Sequence, residues 1–349
     1  MHDALEAMES KEDWRKGRSE AIRQFLETYA PSDNEDLLFQ MMVTVCRLAA
    51  DDADRGDLKI LNSALKELRY AFKVFAPYKE IPKVSIFGSA RTAPDHPQYI
   101  EAMRFAEQIE REGWMVITGA GGGIMQAGHR GATRGASFGV AISLPFEQQT
   151  NEVIADDPKL VNFKYFFTRK LVFVKEARAI VLFPGGVGTQ DEGFEALTLI
   201  QTLKASLVPI VMCDEPGGTY WSHWEKYVRD ELLRNGMIDE SDLRLFHITD
   251  RAEDAVREVV RFYRNYHSSR YVDDRFVMRL RQPLDDAMLE KINQDFADII
   301  VEGRMEQSPG PLEGEDGIYP DLARLHFVFD RRSAGRLRIM IDEINDQPS

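Results

Sequence analysis

Two glycine-rich turns contain the residue types best suited to chemistry in this sequence. One runs from Thr118 to Met125 as TGAGGGIM, and the other runs from Pro184 to Glu192 as PGGVGTQDE. Each follows an apolar run typical of a buried strand and precedes a segment with helical periodicity. Glycine lets backbone N–H groups approach a ligand closely, and a helix N-terminus adds the positive end of a dipole. Both turns therefore predict a binding site for a phosphate group.

Several familiar sites lack part of their pattern here. The dinucleotide fingerprint after Gly119 requires glycine where Ile124 stands, and the strand ending Ile142-Ser143-Leu144-Pro145 lacks the acid that binds a ribose hydroxyl. No GxxxxGK[ST] run is present for ATP-dependent phosphoryl transfer. His223-Trp224-Glu225 has the first half of a zinc deaminase pattern, but the PCxxC half is missing. We therefore expect neither a metal nor an organic cofactor.

Glu192 has two interpretations. Thr189 and Glu192 have the spacing of a capping box, in which Glu192 would close the N-terminus of its own helix. If a phosphate binds this turn, however, a carboxylate about 5 Å away is repelled by roughly 3 kcal/mol at an effective dielectric near 20. That exceeds the contribution of a cap, about 1 kcal/mol. A carboxylate kept there then indicates catalysis, such as activating water or stabilising a cation on a sugar carbon.

Two arginines are candidates for balancing this negative charge. Arg169, in Thr168-Arg169-Lys170, precedes a helix that leads into the apolar run Ala179–Phe183. Arg91 follows Gly88 and Ser89 at the end of the first apolar run, so a glycine, a hydroxyl and a guanidinium meet at one sheet edge. Each arginine also fits a solvated surface position, and spacing alone leaves both interpretations open.

Six near-continuous apolar runs alternate with amphipathic segments between about residues 83 and 266. Such runs are typical of parallel strands that are buried on both faces. The alternation predicts an α/β fold with a doubly wound, mostly parallel, Rossmann-like sheet, whose ligands bind at the carboxyl ends of the strands. The predicted strands are Val84–Phe87, Trp114–Thr118, Phe138–Ile142, Ala179–Phe183, Val208–Met212 and Leu245–Ile248. The predicted helices are Tyr99–Glu112, Gln190–Ala205, Trp221–Asn235 and Ala252–Tyr266.

Regions of different pattern flank this core and predict three domains: residues 1–80, 81–267 and 268–349. The first contains helical apolar stripes separated by a break at Pro31-Ser32-Asp33-Asn34, which predicts helices that pack on the next domain or on another subunit. The last predicts a small α+β appendage. Its expected elements are a strand Tyr271–Leu280, a helix Leu284–Val301, a mobile loop Met305–Pro320 and a hairpin of Leu325–Phe329 with Leu337–Ile341.

Charge and composition restrict the partners. The 349 residues include 44 Lys and Arg and 58 Asp and Glu. The resulting net charge of −14 disfavours nucleic acid as the main partner. Cys46 and Cys213 provide neither a disulfide framework nor a thiolate zinc cluster. The N-terminus lacks the apolar region of a secretory signal, and no apolar run approaches the roughly 18 residues of a membrane span. We expect a soluble cytoplasmic protein that binds no membrane.

Four blocks of the sequence resemble, in the same order, motifs of the Lonely Guy (LOG) family. These proteins are nucleoside 5′-monophosphate phosphoribohydrolases, formerly mislabelled as lysine decarboxylases. The similar blocks are Phe87-Gly88-Ser89, the turn from Gly121 to Met125, Arg169-Lys170, and the run from Pro184 to Glu192, which resembles the family signature PGGxGTxxE. The separation of Arg169 and Glu192 is also similar to that of the family's arginine and glutamate. The resemblance covers about residues 83–250.

This resemblance implies metal-free hydrolysis of the N-glycosidic bond of AMP-like nucleotides to a free base and ribose 5-phosphate. It implies that Glu192 acts at the ribose and the attacking water, and that Arg169 supplies positive charge. The residues that would bind the substrate and its phosphate are Gly88, Ser89, Arg91, Gly121, Gly122, Gly123, Met125, Lys170, Gly185, Gly186, Gly188 and Thr189. Gln126 and His129 depart from the acid and the asparagine common in the family. The flanking regions resemble those of longer bacterial members that act on ordinary purine or pyrimidine nucleotides.

Two other functions stay open at this point. A nucleotide or molybdenum-cofactor carrier on the same scaffold would keep the glycines and make Glu192 dispensable. Alternatively, the flanking helices would assemble a multimer around a weak enzyme. Apolar helices beside a core of this size favour self-association, so we expect a homo-oligomer, a dimer or larger, that binds a small nucleotide.

Overall fold

The computed structural model describes residues 17–143, 150–315 and 317–347. The N-terminal residues on which the secretory-signal prediction rests, and Leu144-Pro145 at the end of one predicted strand, lie outside these ranges. The chain forms two compact units that divide after Lys66. None of the helices in the described ranges combines the length and the apolar character needed to cross a bilayer.

The first unit is helical. Its elements are α1 (residues 17–29), α2 (Glu35–Ala50) and the N-terminal part of α3 (Arg55–Phe75), the remainder of which belongs to the second unit. Ile22 and Leu26, one helical turn apart, are buried. α2 begins directly after Asn34, at the predicted break. The expectation of N-terminal helices is confirmed over the described residues.

The second unit contains a seven-stranded parallel sheet in the order β4-β3-β2-β1-β5-β6-β7. Consecutive strands run outwards from β1 on one side, and the chain then returns to place β5 on its other side. A ligand crevice is expected where the strand order reverses in this way, between β1 and β5. The strands are β1 (Lys83–Phe87), β2 (Met115–Thr118), β3 (Ser137–Ile142), β4 (Leu160–Phe163), β5 (Ala179–Leu182), β6 (Ile210–Cys213) and β7 (Phe246–Thr249).

Helices cover both faces of this sheet, as its apolar strands require. Val84 and Val181 belong to one buried cluster with Phe105, whereas the alternate residues Ile180 and Leu182 belong to another. The helices are α4 (Pro97–Arg111), α5 (Ile124–Gly131), α6 (Phe166–Glu176), α7 (Val187–Gln201), α8 (Tyr220–Tyr227) and α9 (Ala252–Phe262), and a π-helical turn (Val228–Leu233) extends α8. The predicted Rossmann-like α/β fold is therefore confirmed.

A four-stranded antiparallel sheet follows, in the order β10-β11-β9-β8. Leu182 of the parallel sheet and Phe276 and Phe327 of this second sheet belong to the same buried cluster. The two sheets thus share a hydrophobic core. The elements are β8 (Tyr266–Val272), β9 (Arg275–Leu280), α10 (Asp286–Asp295), β10 (Ile300–Ser308), β11 (Ala323–Phe329) and α11 (Ala334–Asn345).

Several predictions for this region were wrong. The predicted strand Tyr271–Leu280 is interrupted by a turn at Asp273, whose φ is 54°, so it contributes to both β8 and β9. The predicted helix Leu284–Val301 ends at Asp295, and its last residues enter β10. The predicted hairpin does not form, because residues 337–341 belong to α11.

Two kinds of periodicity overlap in α11. Leu337 and Ile341 fit an alternating strand pattern, but they are also one helical turn apart. Met340 and Ile344 complete a helical face, and all four side chains are buried. Burial along this face selects the helix, while β11 pairs with β9 and β10 instead.

The segment Met305–Pro320 differs from the mobile loop expected from its composition. Its first four residues belong to β10. Further along, the buried carboxylate of Glu315 accepts hydrogen bonds from Arg279 Nη2 at 2.6 Å and from Arg324 Nε at 3.0 Å. The loop is therefore anchored to β9 and β11 at Glu315, and Asp316 lies outside the described residues.

Candidate active site

A cavity of about 550 Å³ lies at the carboxyl ends of β1 and β5, where the strand order reverses. Four segments meet there: the loop after β1, the turn from β2 into α5, the start of α6 and the start of α7. It is lined by Phe87, Gly88, Ser89, Ala90, Arg91, Gly119, Met125, Phe166, Arg169, Gly186, Val187, Gly188, Thr189, Asp191 and Glu192. The cavity is large enough to enclose a small organic ligand.

The N-terminus of α7 provides one wall. The helix begins at Val187 with Gly186 as its N-cap. The N–H groups of Val187 and Gly188 are in the first turn, where an α-helix supplies no acceptors of its own. A methyl group added at Gly186 or Gly188 would enter open space. An anion can therefore approach this backbone closely.

Gly185, by contrast, is required by packing. A Cβ atom at this position would lie 2.1 Å from Thr189 Oγ1. Its carbonyl oxygen accepts a hydrogen bond of 2.6 Å from the hydroxyl of Tyr220, and Gln190 Nε2 donates to the same hydroxyl at 2.6 Å. The sequence analysis missed Tyr220, which lies on α8 and comes close only in the folded chain.

The capping-box interpretation of Glu192 is wrong. Since Gly186 is the N-cap, Thr189 already lies inside the first turn and Glu192 lies almost one turn beyond it. The carboxylate of Glu192 lines the cavity instead, with 12% of its side chain exposed. Its position is therefore suited to acting on a ligand in the cavity.

The environment of Glu192 matches that position. Burial raises the pKa of Glu192 to about 7, although the positive charges of Lys170 and Arg169 act in the opposite direction. The ammonium of Lys170 lies 3.7 Å from Glu192 Oε2. A carboxyl group with such a pKa can exchange a proton near neutral pH, as a general acid or base must.

Arg169 is a buried cation rather than a solvated helix start. Its Nε donates a 2.9 Å hydrogen bond to the carbonyl oxygen of Val140, and its guanidinium lies 5.2 Å from the ring centre of Phe173. Burial lowers the pKa of Arg169 and Glu192 raises it, but an arginine stays charged at neutral pH. A Cβ atom at position 119 would lie 2.4 Å from Arg169 Nη2, so Gly119 leaves room for the guanidinium.

The first glycine-rich turn packs against the loop after β1 that lines the cavity. Gly123 has a φ of 60°, and a Cβ atom there would lie 2.2 Å from the carbonyl oxygen of Ser89. The N–H of Ile124 donates to that same oxygen at 3.0 Å. Glycine at position 123 thus lets the start of α5 pack against the loop after β1. From this region, Gly119 and Met125 reach the cavity wall.

A buried network fixes the same turn. Asn151 Nδ2 donates to the carbonyl oxygen of Gly121 at 2.9 Å and to His129 Nδ1 at 3.1 Å. His129 Nε2 lies 3.0 Å from both the carbonyl oxygen of Phe138 and Thr118 Oγ1. Because the carbonyl oxygen of Phe138 can only accept, these contacts favour a proton on Nε2 of His129, while Asn151 presents both its amide nitrogen and its amide oxygen to Nδ1. Burial lowers the pKa of His129, which favours its neutral form.

The structure brings most of the predicted site residues to one cavity. Those that line it are Gly88, Ser89, Arg91, Met125, Arg169, Gly186, Gly188, Thr189 and Glu192. Those found outside the lining are Gly121, Gly122, Gly123, Lys170 and Gly185. The ammonium of Lys170 lies against Asp191 and Glu195 instead of facing the cavity.

The sequence analysis missed some lining residues. Phe166 lies in the aromatic run Tyr165-Phe166-Phe167, which matches no known motif. Asp191 lies inside the signature run Pro184–Glu192. Gln126, one of the departures from the family pattern, receives a hydrogen bond from the hydroxyl of Tyr99 at 3.3 Å and lies outside the lining. Across the described ranges, no group of three or more His, Cys, Asp or Glu is arranged to hold a metal ion.

Part of the chain is similar in sequence to known proteins. A family model described as "Possible lysine decarboxylase" matches residues 122–259, which include Arg169, the Pro184–Glu192 turn and α7. The cytokinin riboside 5′-monophosphate phosphoribohydrolase of Mycobacterium tuberculosis is 27% identical over 173 residues, which are 47% of this chain and 87% of that protein. The protein of the same name from Mycobacterium marinum is 26% identical over 170 residues, with the same coverage.

Among solved structures, the molybdenum cofactor binding protein of Rippkaea orientalis is similar with a TM-score of 0.38 and 16% identity. The similarity covers 51% of this chain and 94% of that one. The match to the family model covers residues 122–259, and over about half of its length the chain is similar to the two mycobacterial phosphoribohydrolases.

Proposed function

We propose that this protein hydrolyses the N-glycosidic bond of nucleoside 5′-monophosphates of the AMP type, releasing a free base and ribose 5-phosphate. The observation that carries the proposal is a buried carboxyl group, Glu192, in the same cavity as an uncapped helix N-terminus. The mycobacterial relatives are named as hydrolases of a riboside 5′-monophosphate, which supports the same reaction class. The net charge of −14 also favours a small nucleotide over a nucleic-acid polymer.

The phosphate would bind at the start of α7. Val187 and Gly188 offer N–H groups, Thr189 offers a hydroxyl, and the helix dipole favours an anion by about 0.3–1 kcal/mol. Ser89 and Arg91 line the same cavity from the loop after β1 and add a hydroxyl and a guanidinium. Binding energy from the phosphate would hold the ribose in place without changing the reacting bond.

Glu192 would act at the sugar carbon that bears the base. As the C1′–N bond breaks, positive charge develops on the ribose, and an ionised carboxylate stabilises it. The same carboxylate accepts a proton from the water that forms the new C1′–O bond. The base leaves with the electrons of the C1′–N bond and takes up a proton in place of the one that water gave to Glu192, so one water is divided between the ribose and the free base. Arg169 offsets the combined negative charge of the phosphate and Glu192.

The base would lie against Met125 and Phe166, two apolar side chains of the lining. Phe166 is 52% exposed, so its ring face is available for stacking. Neither side chain carries a group that distinguishes one base from another by hydrogen bonding. We therefore expect activity on several nucleoside monophosphates, with purines favoured by their larger stacking surface.

An assay of base release tests this function. The protein is incubated with AMP, GMP, CMP, UMP and IMP, and free base and ribose 5-phosphate are quantified by chromatography. Wild type should release base, and Glu192→Gln should bind nucleotide but lose at least about 100-fold in rate, within the range that acid–base groups contribute. Glu231→Gln, which changes an exposed carboxyl in the π-helical turn after α8, serves as the control. Binding without base release by wild type would instead support a carrier.

We also propose that the protein self-associates. Phe167, Leu171 and Phe194 on α6 and α7 are 55%, 48% and 39% exposed, and large apolar side chains exposed to this degree often mark an interaction surface. A second copy would bury this surface. Light scattering with size-exclusion chromatography should give the mass of a dimer or a larger assembly, and Leu171→Glu should reduce it. A wild-type mass of one chain, about 40 kDa, would contradict this proposal.

A further inference from the structure

Lys170 is surrounded by three carboxylates at the edge of the active-site cavity. Its Nζ lies 2.5 Å from Glu195 Oε2, 2.8 Å from Asp191 Oδ2 and 3.7 Å from Glu192 Oε2. Lys170 comes from α6, whereas the three acids come from α7. Asp191 and Glu192 line the active-site cavity, while Lys170 and Glu195 line a neighbouring groove of about 610 Å³ between the two helices.

The distances divide these acids into two kinds. Glu195 and Asp191 receive hydrogen bonds from the ammonium, and Glu192 is beyond that range. The positive charge of Lys170 therefore attracts the carboxylate of Glu192, but no short charge-assisted hydrogen bond joins the two side chains. Without Glu195, Asp191 would be the remaining short partner of the ammonium, and the long, flexible lysine side chain could then move closer to Glu192.

We propose that Glu195 is a positioning residue for Glu192: by holding Lys170 away, it leaves the catalytic carboxylate unpaired and able to accept a proton. The inference rests on the proposed hydrolysis. In this role, Lys170 and Glu195 together set the charge around Glu192, whereas the sequence predicted that Lys170 binds the phosphate.

The other charges around Glu192 are less able to move. Arg169 also faces it from α6, but its Nε is held by the carbonyl oxygen of Val140. Arg91 lies in the cavity wall on the loop after β1, and Asp191 is next to Glu192 on α7. Lys170 is thus the cation whose distance from Glu192 depends most directly on a neighbouring side chain.

The protonation behaviour of the cluster agrees with this geometry. Burial raises the pKa of Glu192, Lys170 and Arg169 lower it, and Glu195 and Asp191 raise it again. Burial acts to lower the pKa of Lys170, but its hydrogen bonds to Asp191 and Glu195 raise it above the usual value. Removing Glu195 should therefore lower the pKa of Glu192, whereas removing Lys170 should raise it.

The pH dependence of kcat/KM for base release from AMP tests the proposal. Glu192 must be ionised to accept a proton from water, so the rate rises with pH through its pKa. Glu195→Gln should move this acidic limb to lower pH by about one unit, and Lys170→Met should move it to higher pH by a similar amount. Glu231→Gln and Lys226→Met make the same charge changes at exposed positions and should move neither limb.

A salt bridge that only ties α6 to α7 predicts a different result. Glu195→Gln and Lys170→Met would then both lower the melting temperature and kcat, and the acidic limb of the pH profile would stay in place. Limbs that stay in place, or that move in the same direction in both variants, would overturn the proposal. If Glu195→Gln fails to fold, Glu195→Asp shortens the same side chain and should give a smaller shift towards lower pH.

A titration that needs no activity separates this inference from the proposed function. Protein labelled with ¹³C at the glutamate carboxyl is titrated by NMR, and Glu192→Gln identifies the resonance of Glu192. Its midpoint should fall in Glu195→Gln and rise in Lys170→Met. If these shifts occur but no nucleotide is hydrolysed, the proposed function fails and the positioning stands. If hydrolysis occurs and the midpoint does not move, the positioning alone fails.

Discussion

The hydroxyl of Tyr220 donates a 2.6 Å hydrogen bond to the carbonyl oxygen of Gly185, which ties α8 to the turn that begins α7. Asp214 accepts the N–H of Tyr220 at 2.8 Å and so fixes the start of α8. The shape of the glycine turn therefore depends on a residue well outside the signature run.

Replacing this hydroxyl should weaken catalysis without unfolding the protein. Tyr220→Phe removes two hydrogen bonds, the one donated to the carbonyl oxygen of Gly185 and the one accepted from Gln190 Nε2. Each contributes a net of about 0.5–1.5 kcal/mol, and we expect kcat/KM for AMP to fall roughly 3- to 10-fold. The loss should appear mainly in KM, because this turn is the proposed binding site of the phosphate. Tyr227→Phe, at an exposed position on the same helix, is the matched control and should keep the wild-type value. An unchanged KM in Tyr220→Phe would contradict this role.

Two glycines of the same turn should respond differently to alanine. At Gly185 a Cβ atom would lie 2.1 Å from Thr189 Oγ1, so Gly185→Ala should lower the melting temperature. At Gly188 the added methyl enters open space, and alanine is favoured within a helix by about 0.5–1 kcal/mol. Gly188→Ala should keep or raise the melting temperature while raising KM for AMP. Equal melting temperatures for the two variants would show that the turn is looser than described.

Ionised Glu192 should make the folded protein less stable. Its folded pKa, about 7, lies above the value of 4.5 usual for a glutamate, so the folded state retains a proton that the unfolded state has released. The stabilisation that follows from this retained proton is fully present below about pH 4.5 and is lost as pH rises through 7. At roughly 1.36 kcal/mol per pKa unit, the loss approaches about 3 kcal/mol by pH 8.

Glu192→Gln avoids that loss, since an amide stays neutral. Denaturant titrations should show the variant to be more stable than wild type at pH 8, and the difference should shrink towards pH 5. Glu231→Gln, in which an exposed carboxyl is replaced, should show no such trend. A variant that is less stable than wild type at pH 8 would mean that Glu192 is well paired in the folded state.

His129 should contribute a stability trend of opposite sign. Burial lowers its folded pKa below 6.5, because the charged imidazolium loses its hydration, although the hydrogen bonds with the carbonyl oxygen of Phe138 and with Asn151 act in the opposite direction. The folded state therefore binds fewer protons than the unfolded state as pH falls below about 6.5, and stability decreases by up to about 1.4 kcal/mol per pH unit. His129→Asn should lose this slope between pH 6.5 and 5. The same slope in variant and wild type would assign it to His267 or His326, whose pKa values burial also lowers.

The parallel sheet was predictable because its strands are buried on both faces and therefore appear as continuous apolar runs. β4 escaped prediction, since its sequence LVNF is short and exposes Asn162 at the sheet edge. α11 was mistaken for a strand because residues 337–341 satisfy both periodicities, and only packing against the rest of the chain decides between them.

At the site, the glycine turn, Arg169 and Glu192 were identifiable because their types and spacing resemble a known motif. The partners that tune them were not. Tyr220 and Glu195 act across helices, and nothing in their local sequence distinguishes them from ordinary helical residues. The charge pairing of Lys170 likewise becomes visible only when α6 and α7 are placed side by side.

The position of a bound nucleotide tests the central claim most directly. Crystals of Glu192→Gln soaked with AMP should place the phosphate at the N–H groups of Val187 and Gly188, with C1′ of the ribose facing the side chain at position 192. The expected separation between C1′ and that side chain is about 3–4 Å, enough for close approach or one bridging water. A nucleotide bound elsewhere, or one whose C1′ faces away from position 192, would contradict the account.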